Sequence, residues 1–199
     1  MVSIGITGGV GSGKSEVLSY MEKEYGAVII LADKVAHLLE AKGQSCYNKL
    51  VKAFGEGILD SEGEIDKKRF ASVIFADEKN LKIVNDIIHP AVKQYILEKM
   101  DESNKAGEKL FVLEAALLIE EGYDKILDEI WYIHSDEKKR YEWLKNSRGY
   151  SKEKTAGIIN SQLNEKMFRD NSDRIIENDG EIIDLHQKIK AAVDEVMGY

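Results

Sequence analysis

At 199 residues the chain suits one α/β domain, or one domain carrying an inserted lobe, and a hydrophobic fraction of 43% supplies a core. Its net charge of −8 excludes a general nucleic-acid or membrane-surface binder, because both partners are polyanionic and would repel it. Cys46 is the only cysteine, so there is no disulfide within the chain and no Cys/His zinc cluster. No apolar run approaches a membrane span and the first residues carry no leader pattern; a soluble, cytoplasmic protein is expected.

Taken in order, Val2-Ser3-Ile4-Gly5-Ile6 reads as a strand apolar enough to be buried on both faces. It runs into Gly8-Gly9-Val10-Gly11-Ser12-Gly13-Lys14-Ser15, which fits G-x-x-x-x-G-K-[ST] in full. Val17, Leu18, Tyr20 and Met21 then recur at helical spacing. Strand, glycine loop and helix is the setting of a phosphate-binding P-loop. Its backbone N–H groups curl around phosphate oxygens, and the helix N-terminus adds a positive dipole end. Lys14 is placed for the β- and γ-phosphates and the Ser15 hydroxyl for Mg²⁺. The motif implies a nucleoside triphosphate, with Gly8 to Ser15 and the following Glu16 as its contact segment.

Ala27-Val28-Ile29-Ile30-Leu31 predicts a short buried parallel strand, closed by Ala32-Asp33. Asp33 is placed to N-cap a helix starting at Lys34. It also stands at a strand end, where open α/β sheets bind ligands, and can accept a hydroxyl proton during phosphoryl transfer. Residues 41–105 change character: Tyr47, Leu50, Val51 and Phe54, and later Phe70 to Ile88, follow helical spacing, with turns at 55–57 and 61–64. This predicts a helical insert. Within it His89-Pro90 is expected to punctuate or kink a helix, His89 by itself reading as a packing or helix-end residue.

Leu110-Phe111-Val112-Leu113 predicts the third strand, ending at Glu114, a carboxylate position suited to Mg²⁺ directly or through water. Leu117 to Glu120 is a short apolar stretch, and Glu120 reads equally as a solvated helix residue. Ile130 to Ile133 is the fourth strand. Residues 136–169 are helical and highly charged, broken at Gly149-Tyr150-Ser151 with Ser151 as an N-cap. Such a segment reads either as a solvated face or as a lid whose cations, Arg140 and Arg148 among them, close over a triphosphate. Arg174 to Glu177 is a fifth strand, 178–180 a turn, and Ile182 to Met197 a closing amphipathic helix. The expected fold is a P-loop NTPase α/β fold: a five-stranded, doubly wound parallel sheet flanked by helices. The core comprises 1–40, 106–135 and 170–199, the insert 41–105 and the lid 136–169.

Taken together, the P-loop start, Ala32-Asp33, Phe54-Gly55 with Gly63 to Asp66, His89-Pro90, Leu117 to Glu120, Ser161-Gln162 and Asp173 to Gly180 resemble the dephospho-coenzyme A kinase family over nearly the whole chain. The resemblance implies transfer of the ATP γ-phosphate to the ribose 3′-hydroxyl of dephospho-coenzyme A, with ATP and Mg²⁺ required. It implies Asp33 as the base, His89, Leu117 and Glu120 as acceptor-binding residues, and Asn178 beside the adenine. The chain departs from the family pattern at Leu31 (usually Asp), Glu16 (Thr), Lys67 (Arg), Ala116 (Pro), Ser147 (Arg) and Ile158 (Arg). A kinase for another small hydroxyl substrate, or a nucleotide-binding protein with little transfer, are the alternatives these departures leave open.

Overall fold

The computed structural model describes residues 1–199. Strands β1 (Val2–Thr7), β2 (Val28–Leu31), β3 (Leu110–Glu114), β4 (Glu129–His134) and β5 (Arg174–Glu177) form one sheet in the order β2-β3-β1-β4-β5. β3, β1, β4 and β5 pair in parallel, with Ile6 opposite Glu114, Thr7 opposite Tyr132 and His134 opposite Glu177. This register brings the carboxyl ends of four strands to one edge of the sheet, with the loop after β1 in the middle of it. This is the five-stranded α/β sheet that the motif order predicts, with the glycine loop at the carboxyl edge.

Two compact units divide the chain: Met1–Ile30 with Ser103–Tyr199, and Leu31–Glu102. In the first, Ile4, Phe111, Leu113, Trp131 and Ile133 are fully buried on the central strands, each contributing roughly 1.5–3 kcal/mol through removal of apolar surface from water. α1 (Lys14–Tyr25) packs on the closing helix Ile182–Met197. There Tyr20 lies against His186, and the Tyr25 hydroxyl donates to Asp194 over 2.9 Å. Burial, helped by the Asp194 carboxylate, pushes the Tyr25 phenol well above its usual range, so it remains a donor at any physiological pH.

The strands fall where hydrophobic patterning puts them, with one correction. β2 is half-buried throughout instead of buried, because it is an edge strand with a neighbour on one side. A tetrapeptide of β-branched and aliphatic residues looks the same in sequence at the edge of a sheet as at its centre.

The second unit is helical: α2 (Ala32–Glu40), α3 (Tyr47–Phe54), α4 (Lys67–Ile74) and most of α5 (Glu78–Lys105). Asp66 caps α4 by accepting from the Lys68 and Arg69 backbone N–H groups. Two expectations are corrected here. Asp33 is not the N-cap of α2; Leu31 holds that position without a side-chain bond, and Asp33 lies in the first turn, exposed. A carboxylate there still meets the positive end of the helix dipole.

Pro90 does not end a helix either. α5 runs through it for 28 residues. The missing Pro90 N–H leaves the Asp86 carbonyl without its intrahelical donor, but Val84, Ile88, Val92 and Ile96 are buried on either side, and this packing holds the helix together. Pro90→Ala is therefore expected to raise stability by about 1–2 kcal/mol, the helix gain being partly offset by a freer unfolded chain. The check is a rise in the urea midpoint at unchanged slope; an unchanged midpoint would mean that the helix has absorbed the proline at no cost.

The remaining helices belong to the first unit: α6 (Glu137–Arg148), α7 (Lys152–Asn160), α8 (Glu165–Asp170) and α9 (Ile182–Met197). Asp136, Ser151 and Asn164 cap the first three through side-chain oxygens, Ser151 as predicted. Gly149, in the left-handed region at φ 63°, closes α6. The Phe168 ring stacks on Tyr132 of β4 at 4.9 Å, seating α8 on the sheet. No helix is long and apolar enough to cross a membrane.

Candidate active site

The loop between β1 and α1 curls back on itself: the Ser12 N–H donates to the Gly9 carbonyl and the Glu16 N–H to the Gly13 carbonyl. Gly13 is required twice over. Its φ of 95° disfavours any side chain, and a Cβ there would collide with the Asn178 side-chain amide. That amide donates to the Ser12 carbonyl at 2.8 Å, while the Asn178 backbone N–H donates to the His134 carbonyl. The segment after β5 is thereby tied to the loop.

Lys14 Nζ donates to the Gly8 carbonyl at 2.8 Å and reaches Gly9, and lies 3.8 Å from the Glu114 carboxylate at the end of β3. Two strands that are neighbours in the sheet thus deliver the ammonium and the carboxylate to one place. Ser15 is exposed at the head of α1. Two hydroxyls, Thr7 Oγ1 and Ser12 Oγ, are buried without a hydrogen-bond partner, in a loop whose chemistry is the binding of phosphate oxygens.

The charged helices add one cation to this loop. Arg140 of α6 lays its guanidinium over Gly9, so closely that a Cβ at Gly9 would overlap it. Its Nε donates to the Val10 carbonyl at 2.9 Å and its Nη2 to Gln162 Oε1 at 3.0 Å; the same oxygen accepts from the Val10 N–H. Burial lowers the Arg140 pKa from the usual arginine value, although it stays protonated at neutral pH. Arg148, the other candidate cation, lies instead over the rings of Trp143 and Tyr150 at 5.7 and 6.0 Å. Ser147 bonds back to the Trp143 carbonyl, and Ile158 is half-buried on α7. Of the two candidate lid cations, Arg140 is the one that lies on the loop.

The other candidates are placed as follows. Glu16 pairs with His186 of α9 at 2.8 Å. Leu117 and Glu120 are both exposed in a run of turns from 116 to 122, so Glu120 is not a helix residue; the adjoining Leu118 is buried. Asp33 and the half-buried His89 belong to the helical unit. Gln162 was legible only as part of a motif, and nothing local marks it as a partner of Val10, which is 152 residues away.

The dephospho-CoA kinase family profile matches residues 2–184. The chain belongs to the dephospho-CoA kinase family. A dephospho-CoA kinase of Geobacillus kaustophilus is 36% identical over 181 residues, covering 90% of this chain and 89% of the relative. One from Aquifex aeolicus is 36% identical over 199 residues, covering 98% of each. Among solved structures, that of the Thermus thermophilus protein TT1252 superposes with a TM-score of 0.82 at 26% identity, covering 98% of this chain and 97% of the other. This dephospho-CoA kinase family member is accordingly a phosphotransferase of coenzyme A biosynthesis, with a P-loop built to hold a nucleotide.

Proposed function

We propose that the chain transfers the γ-phosphate of ATP to the ribose 3′-hydroxyl of dephospho-coenzyme A, giving coenzyme A and ADP. The observation that supports it most is Arg140 lying on the loop beside Lys14, two cations on one phosphate-binding turn with unpartnered hydroxyls beneath. The acceptor 3′-oxygen attacks the γ-phosphorus as the bond to the β–γ bridging oxygen breaks, and ADP carries that oxygen away. The hydroxyl proton passes to Asp33, in the first turn after β2, where its exposed carboxylate is open to an acceptor. Lys14 and the loop N–H groups hold the phosphates, and Arg140 offsets charge that grows on the transferred group and on the leaving oxygen. Asn178 lies beside the adenine. The insert 41–105 with His89, together with Leu117 and Glu120, binds the acceptor. The protein acts as a cytoplasmic monomer.

Magnesium fits the donors present: the exposed Ser15 hydroxyl and the Glu114 carboxylate are hard oxygen ligands beside the loop. When bound, the ion neutralises phosphate charge and orients the γ-phosphate for attack.

The test is ADP release in the presence of ATP, Mg²⁺ and dephospho-coenzyme A, set against a panel of nucleoside and sugar acceptors. Release specific to dephospho-coenzyme A is expected. Asp33→Asn is expected to leave ATP affinity nearly unchanged and lower turnover by about two to four orders of magnitude. Turnover within a few-fold of the parent would remove Asp33 as the base, and faster release with another acceptor would overturn the substrate assignment.

A further inference from the structure

His134, Glu177 and Asp179 lie at the carboxyl ends of β4 and β5, outside the phosphate loop, and the kinase reaction gives them no task. His134 Nδ1, a Glu177 oxygen and an Asp179 oxygen all lie within 4.8 Å of one another. His134 Nδ1 contacts Glu177 Oε2 directly and is 3.7 Å from Asp179 Oδ2. From this we infer a second cation site: His134, Glu177 and Asp179 bind one divalent transition-metal ion of the zinc class. The inference does not depend on the identity of the acceptor substrate.

Two features of the surroundings support it. First, each donor residue is held from behind by a group outside the trio. Glu177 Oε1 accepts from Arg169 Nη2 at 3.1 Å, which leaves Oε2 for the site. Asp179 Oδ1 accepts from the Asp136 backbone N–H at 2.8 Å, which leaves Oδ2. His134 Nε2 faces the Glu165 carboxylate at 3.5 Å, which leaves Nδ1. A carboxylate behind the non-ligating nitrogen is the arrangement that orients metal-binding imidazoles and raises their basicity. Second, carboxylates crowd the imidazole. Three of them face it, one guanidinium bonds two of them, and the nearby ammonium groups of Lys139 and Lys188 are engaged by the backbone carbonyls of Asp179, Gly180 and Glu177 instead of by the carboxylate oxygens. A divalent ion would bind those oxygens directly.

One imidazole and two carboxylates select a borderline ion such as Zn²⁺, Co²⁺ or Mn²⁺ over Mg²⁺ or Ca²⁺, which prefer oxygen alone. Bonds of about 2.0–2.2 Å to each donor require the Glu177 and Asp179 side chains to turn about the ion, with water completing the coordination. Bound there, the ion would join β4 to the segment carrying Asn178, whose amide already holds the phosphate loop.

The test uses the full chain, stripped of metal and free of nucleotide. Equilibrium dialysis against Zn²⁺ is expected to load one ion per chain, and Co²⁺ to give a visible absorption band. In the unmodified protein, Co²⁺ is expected to shift or broaden the NMR signals of the His134 ring while leaving those of His37 unchanged, a readout that needs no variant to fold. Glu165→Gln is expected to weaken binding by about 10–100-fold, and His134→Gln or Asp179→Asn by more, with each variant's fold checked by circular dichroism. Absence of stoichiometric uptake, a Co²⁺ effect that spares His134, or uptake lost in Ser15→Ala but kept in His134→Gln would each overturn the site.

Discussion

Arg140→Ala is expected to lower kcat/KM by about three to five orders of magnitude, the scale set by arginines that neutralise charge in phosphoryl transfer. The guanidinium is already on the loop, bonded to the Val10 carbonyl and to Gln162, so little reorganisation separates this arrangement from one in which it faces the phosphates. Most of the loss should fall on kcat, because charge accumulates on the transferred group as the bond breaks. Arg140→Lys should recover only part of it, since an ammonium keeps the charge but loses the planar fork that reaches loop and glutamine together. Arg148→Ala is the internal control. With its guanidinium over Trp143 and Tyr150, its loss should change kcat/KM by no more than a few-fold. Steady-state kinetics on the three variants decide the matter, alongside thermal melts to separate rate from stability. Equal losses in Arg140→Ala and Arg148→Ala would contradict the assignment.

The second large effect is expected at Lys14. Lys14→Ala should weaken nucleotide binding and slow turnover together, reducing kcat/KM by about two to three orders of magnitude, as expected for a charged contact made in both ground and transition states. The ammonium bonds the Gly8 and Gly9 carbonyls and neighbours Glu114. Its removal therefore also leaves the Glu114 carboxylate without its cation at 3.8 Å. Glutamine in its place should retain a loop hydrogen bond and recover stability before it recovers rate. Nucleotide affinity by titration calorimetry and single-turnover transfer separate the two losses; normal affinity and normal transfer in Lys14→Ala would contradict the phosphate-loop reading.

The P-loop and the sheet were legible because their information is local. A strand of Val, Ile and Gly, a glycine run, Lys-Ser and a helical repeat lie within about twenty residues of one another, and each step constrains the next. The end of β3 is legible for the same reason and puts Glu114 beside the loop, whereas Asn178, which bonds the Ser12 carbonyl, is marked only by the family resemblance. Three local readings failed where longer-range packing overrode local preference. β2 has one neighbour instead of two, Asp33 lies in the first turn of its helix instead of at the cap, and the packing around Pro90 outweighs its missing hydrogen bond.

By itself, the sequence determined the phosphate loop, the order of strands and helices, and the family, since all three rest on contiguous patterns and their succession. Only the tertiary structure decided which cation serves the loop. Arg140 and Arg148 are both charged residues of one helix in the sequence, and what separates them is a contact between Arg140 and Val10, 130 residues apart. The gathering of His134, Glu177 and Asp179 has the same origin: the parallel register of β4 and β5 puts His134 opposite Glu177, and no pattern along the chain encodes a pairing between strands 43 residues apart.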